Sequence, residues 1–163
     1  MAVVLGKMSD VTFLEHQHIE FENALSYKTR VDADKLMALL EFIRRNADAL
    51  GLEITGSIVF TISDTYSFAD RCIFDIEVLV PVNKAFPSTE RYIYKPVFRL
   101  VNAVSLRVGG NTRGLMNAKE KLAQYISSHR LNAISGIYYS AVSSGAPDIE
   151  SFDALVSIND NMV

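Results

Sequence analysis

The sequence predicts an α+β domain: duplicated β-α-β-β units whose strands form one curved, mostly antiparallel sheet with two helices packed on one side. Three observations carry this. Apolar residues recur at helical spacing in two places, after Asp32 and after Thr112. Each such stretch is followed by β-branched and aromatic runs suited to strands. The order of these segments then repeats at a separation of roughly 80 residues. One unit alone cannot cover both its helix stripe and its sheet face, whereas two side by side can.

Taken in order, residues 1–17 have little periodicity and read as an N-terminal extension. Ile19 to Val31 alternates as a strand, and Asp32 offers a carboxylate to cap the helix that follows. Leu36, Leu39, Leu40, Ile43, Ala47 and Leu50 form the apolar stripe of that helix, and Gly51 suits a left-handed C-terminal cap. Gly56–Ile62 and Phe74–Val80 read as strands, the second stopped by Pro81, with a polar loop over Ser63–Arg71 between them. The Asn83–Glu90 connection, with Pro87, is short and joins two halves of one domain.

The second half begins with an extended run, Tyr92–Arg107, interrupted by Pro96. Gly109-Gly110-Asn111-Thr112 offers Asn or Thr as a cap for a helix lined by Leu115, Ala118, Leu122, Tyr125 and Ile126. Strands over Gly136–Ser140 and Phe152–Ile158 follow, joined by a loop through Gly145 and Pro147. Leu52 overlays on Leu131, Gly56 on Gly136, and Phe74-Asp75 on Phe152-Asp153. The chain of 163 residues is thus one domain with pseudo-repeats over 19–82 and 91–160.

The balance of charge is slightly acidic, −3 from 16 basic and 19 acidic residues, which disfavours nucleic acid as the main partner. A single cysteine, Cys72, excludes an internal disulfide and a thiolate metal cluster. No apolar stretch reaches the roughly 18 residues of a membrane span, and the N-terminus lacks a secretory h-region. The expected location is cytoplasmic.

Phe74-Asp75-Ile76-Glu77-Val78-Leu79-Val80-Pro81-Val82 resembles a strand that recurs in GyrI-like, effector-binding proteins, where acidic and aliphatic residues end in aliphatic-Pro-Val. Leu50-Gly51-Leu52-Glu53-Ile54-Thr55-Gly56 is similar to the helix exit of that superfamily. The likeness covers residues 19–160. Together with Glu22-Asn23-Ala24-Leu25-Ser26-Tyr27, it is closest to small Gram-positive proteins encoded beside type VII secretion toxins. The resemblance implies a curved sheet of two strand–helix–strand–strand units. It also implies a central cleft in which relatives bind cationic drugs through a buried carboxylate, commonly from the second-half strand. Here Leu155 stands at the position matching Glu77, and the second copy ends Ile158-Asn159.

Glu77 lies on a strand whose Ile76, Val78 and Val80 face the other way. Opening into an apolar cleft, it would have a raised pKa and attract a cation. Facing water or a basic residue on the next strand, it is structural. Tyr27, Phe60, Tyr92, Tyr94 and Tyr138 are the aromatics proposed to line a cleft with it. Tyr138 and Tyr139 must point to opposite faces.

His16, His18 and His129 complete no metal-ligand set, and the glycine-rich turn before the second helix lacks the Lys-Ser/Thr ending of a P-loop. No Gly-x-Ser-x-Gly elbow is present. Some GyrI-like relatives hydrolyse reactive small molecules with a Tyr and a Glu, an arrangement Glu77 and a tyrosine could imitate. The reading is a non-catalytic protein without a cofactor: an adaptor or chaperone for a type VII secretion toxin or its targeting subunit. Its alternative is a small-molecule-binding module for an amphipathic or cationic ligand.

Overall fold

Strand β1 runs for 20 residues, Phe13–Asp32, in a computed structural model that describes residues 12–142 and 151–159. A single 3-10 turn, Ala33–Lys35, leads into helix α1 (Leu36–Ala49), followed by β2 (Val59–Phe68) and β3 (Arg71–Pro81). Then come β4 (Ile93–Gly109), α2 (Thr112–Ser128), β5 (Asn132–Val142) and β6 (Ser151–Asn159). Strand, helix, strand, strand therefore occurs twice. The expected loop through Gly145 and Pro147 and most of the N-terminal extension lie outside the described residues, but β1 already begins at Phe13.

Every strand pairing is antiparallel, in the order β1-β3-β2-β5-β6-β4, and β4 pairs back onto β1. The expected curved sheet is thus a closed barrel. Closure follows from the length of β1 and β4, which each serve two partners. β1 meets β3 over Ala24–Asp32 and β4 over Phe13–Ser26, and β4 meets β6 over Ala103–Gly109.

Two further expectations need correction. Pro96 does not interrupt β4: it falls opposite Asn23, whose φ of 61° marks a local irregularity between the Glu22–Val97 and Ala24–Lys95 pairs. A missing amide is tolerated at such a place. Ser63–Arg71 is not a loop either. β2 and β3 continue as a hairpin to the Phe68–Arg71 pair, past the three-residue contact of β2 with β5. The hairpin has outrun the core, so its residues lose the apolar alternation that marks a strand.

The helices form as their stripes predict. α1 buries Leu36, Leu40, Ile43 and Ala47, while Leu50 stays exposed beyond its end. Gly51, at φ 77°, turns the chain out, and the Leu52 amide reaches back to the Ala47 carbonyl at 3.0 Å. Asp32 sits at the helix entry, but its carboxylate accepts from Arg71 Nε at 2.8 Å and makes no cap hydrogen bond. At α2 the Asn111 side chain does cap, accepting from the Gly114 amide at 2.7 Å. A Cβ on Gly114 would stand 2.4 Å from the Gly109 carbonyl oxygen, so the turn requires glycine there. Asn111→Ala is expected to cost about 1 kcal/mol. The melting temperature should then fall by about 2–4 °C, as read by thermal denaturation.

One face of the sheet and both helices share the main core, in which Phe60, Phe74, Val78 and Phe152 meet Leu40, Ile43, Leu115 and Leu122. The face turned away from the helices is filled by smaller groups. Ala24, Val59 and Leu79 form one cluster there and Leu100, Ala103 and Leu155 another, with Phe98 and Tyr138 packed against both. No helix among the described residues is long and apolar enough to cross a membrane.

Candidate functional site

The helix-free face carries a row of side chains fixed by strand register. Lys28 pairs with Glu77, Glu77 with Thr61, Thr61 with Tyr138, Tyr138 with Leu155, and Leu155 with Ser105. Period-two alternation decides this: Phe74, Ile76, Val78 and Val80 enter the main core, leaving Asp75 and Glu77 on the opposite face.

Beside Glu77 is a groove of about 470 Å³ lined by Lys28, Thr29, Thr61, Ser63, Asp75 and Glu77, among others. The Glu77 carboxylate accepts from Ser26 Oγ at 2.6 Å and from Lys95 Nζ at 2.7 Å. Its side chain is 16% exposed, while that of Lys95 is 40% exposed. Burial pushes the Glu77 carboxyl up, but the hydrogen bonds from Lys95 and Ser26, with the charges of Lys95 and Lys28, outweigh it and hold the group below its ordinary value. Glu77 is therefore an ionised, partnered carboxylate at the groove, and the raised pKa of an unpaired cleft acid does not apply.

At the rim, Asp75 accepts from Arg30 Nε and from the Tyr66 hydroxyl, each at 2.8 Å, and the Arg30 guanidinium lies 4.8 Å from the Tyr66 ring centre. The Arg30 hydrogen bond, then that of Tyr66, hold the Asp75 carboxyl below its usual range.

The six residues expected at a cleft divide between the two faces. Glu77 and Tyr138 share the helix-free face. Tyr138 packs 5.2 Å from Phe98, and its pKa is raised by burial and by the Glu77 charge. Phe60 belongs to the core: it is fully buried, 5.1 Å from both Tyr139 and Phe152. Tyr27 and Tyr92 also pack on the main core, 5.3 Å apart, and the Tyr92 hydroxyl accepts from Asn46 Nδ2 at 2.5 Å. Tyr94 donates to Asn23 Oδ1 at 2.6 Å and meets Phe86 edge-on. The expected opposition of Tyr138 and Tyr139 is present, with Tyr139 in the main core, its hydroxyl on the Leu115 carbonyl and its pKa pushed up to about 12 by burial.

Lys28, Thr61, Asp75 and Lys95 were not singled out by sequence. Asp75 carries a signal, since it lies two residues from Glu77 on the same strand. The Lys95 contact has none, because it depends on how β4 is placed against β1.

The histidines go elsewhere. His16 stands at a left-handed position, φ 59°, with Nδ1 3.2 Å from Asn102 Oδ1, so alternation with His18 is broken. His129 Nδ1 faces the Tyr125 carbonyl at 2.9 Å and so carries the proton, which prevents it from serving the adjacent Ser128 as a base. Among the described residues, no group of three or more His, Cys, Asp or Glu side chains is arranged to hold a metal ion.

A barrel of this order, with two helices on one face and a polar groove on the other, is a fold that this chain shares with solved structures. The particular likenesses are to the EcmrR C-terminal domain and the EcmrR–DNA complex. The C-terminal domain aligns at TM-score 0.64 and 16% identity over 90% of this chain and 98% of that one. The complex aligns at TM-score 0.72 and 15% identity over 97% of this chain, which spans 62% of the EcmrR chain. An uncharacterised conserved protein and a hydrolase from Listeria innocua align at TM-scores 0.52 and 0.50, with 11% and 10% identity over 91% of this chain and 92% and 91% of theirs. No protein-family model and no curated protein matches the sequence.

Proposed function

We propose that this chain is a small-molecule-binding module whose ligand is an amphipathic cation, held in the groove beside Glu77. The observation that carries this is an ionised carboxylate whose lysine partner is 40% exposed, so that a ligand cation can replace Lys95 without leaving a fully buried ammonium behind. Tyr138 supports it: its hydroxyl lies within the fields of both Glu77 and Lys95. The groove volume falls in the usual range for small ligands, about 300–1,000 Å³. The EcmrR C-terminal domain supplies fold-level support only.

The secretion-adaptor role implied by sequence draws no support from the similar structures. Because a Listeria innocua hydrolase shares the fold, turnover is a separate question for the test. Tetraphenylphosphonium is expected to raise the melting temperature by mass action and to be recovered unchanged. The shift should shrink to about half or less in Glu77→Gln, whose amide keeps the shape and loses the charge. A flat response in the wild type, or equal shifts in both proteins, rejects the cation site. Consumption of an activated ester, abolished in Glu77→Gln, rejects the non-catalytic reading.

A further inference from the structure

The helix-free face has a second groove, of about 410 Å³, at the other end of the register row. Its frame matches that of the Glu77 groove position by position. Arg30 pairs with Asp75 in one, and Arg107 pairs with Asp153 in the other at 2.9 Å. Lys28 beside Glu77 in the first corresponds to Ser105 beside Leu155 in the second. Tyr138, between Thr61 and Leu155 in register, stands between the two grooves.

The chemistry differs where the frame is the same. Leu155 and Ile19 give the second groove an apolar floor, and Ser105 and Ser140 bring hydroxyls to its lining. The charges at its rim neutralise each other, since Asp153 takes both Nε and Nη2 of Arg107, at 2.9 and 3.2 Å. An isolated ion entering there would lose water without gaining a counter-charge. An uncharged ligand loses little, buries its apolar body on Leu155 and Ile19, and finds two hydroxyls for a single polar group.

We infer that this groove is a second binding site, selective for an uncharged amphipathic molecule with an apolar body and one hydrogen-bonding group. The assignment is independent of the cation site, because it uses none of the residues that hold Glu77.

The test is a fluorescence titration of the full chain with N-phenyl-1-naphthylamine, a neutral probe with one N–H. Saturable binding at one equivalent is expected. Ser140→Trp, which fills the groove from its half-buried rim, should weaken binding at least tenfold. Ser105→Ala should weaken it roughly two- to tenfold, as loss of one hydrogen bond does, and serves if the tryptophan variant fails to fold. Glu77→Gln should change it less than twofold. Absence of saturable binding overturns the proposal, as does undiminished binding in the folded serine variants. Equal loss in Glu77→Gln also overturns it by assigning the probe to the other groove. Tetraphenylphosphonium run in parallel reports on the cation site alone.

Discussion

Truncating Phe60 to alanine is expected to destabilise the fold by about 3–5 kcal/mol, the usual cost of removing a buried aromatic ring and leaving a cavity. The ring is fully buried and held on two sides, stacked on Tyr139 and edge-on to Phe152, each at 5.1 Å. Such ring pairs contribute about 0.5–1.5 kcal/mol beyond area alone. Domains of this size carry roughly 5–15 kcal/mol in all, so the variant gives up a large part of its stability. Its melting temperature should fall by about 6–20 °C. The sequence offered Phe60 as a ligand contact and the structure puts it in the core, and one experiment separates the two roles. A variant that melts like the wild type but loses ligand binding would restore the contact role. Early melting, with ligand affinity intact at low temperature, is the expected outcome.

Phe60 also shows where sequence reading stops. Alternation tells which residues share a face, and it sorted Ile76, Val78 and Val80 from Glu77 as observed. It does not say which face the helices cover. The helices themselves were legible because their stripes and caps are local: Gly51 and Asn111 act within one turn of chain. Asp32 failed as a cap because Arg71, distant in sequence, offers it a charged donor. The hairpin over Ser63–Arg71 was hidden for a related reason. Its stability comes from pairing with β3, and exposed Tyr66 and Phe68 look the same in a loop as in a strand beyond the core. Barrel closure was not legible at all, since it rests on the register between β1 and β4.

The site divides in the same way. Glu77 was found from its own strand, as an acid among aliphatic residues. Its partner Lys95 belongs to β4 and reaches Glu77 only because β1 lies between β3 and β4. The matching Arg30–Asp75 and Arg107–Asp153 pairs were within reach, because Asp75 and Asp153 already overlaid and each arginine lies directly opposite its aspartate.

Lys95→Met tests the site most directly, because Glu77 then keeps its burial and loses its main counter-charge. A ligand cation no longer has to displace an ammonium, so affinity for tetraphenylphosphonium should rise by about tenfold, equivalent to about 1.4 kcal/mol. Stability should move the other way, by about 1 kcal/mol at neutral pH, a figure kept small because Lys95 is 40% exposed and screened. In the wild type the folded-state pKa of Glu77 lies below its unfolded value. Its contribution is therefore complete above about pH 4.3 and is lost as pH falls through the folded value. Removing Lys95 raises the folded value and cuts that contribution. The gap in melting temperature should be widest at neutral pH and close once Glu77 is protonated in both proteins. Lys95→Arg retains the charge and should restore both readouts. A gap that persists unchanged to low pH, with cation affinity unaltered, would make Lys95 a packing residue and remove the basis for placing a cation beside Glu77.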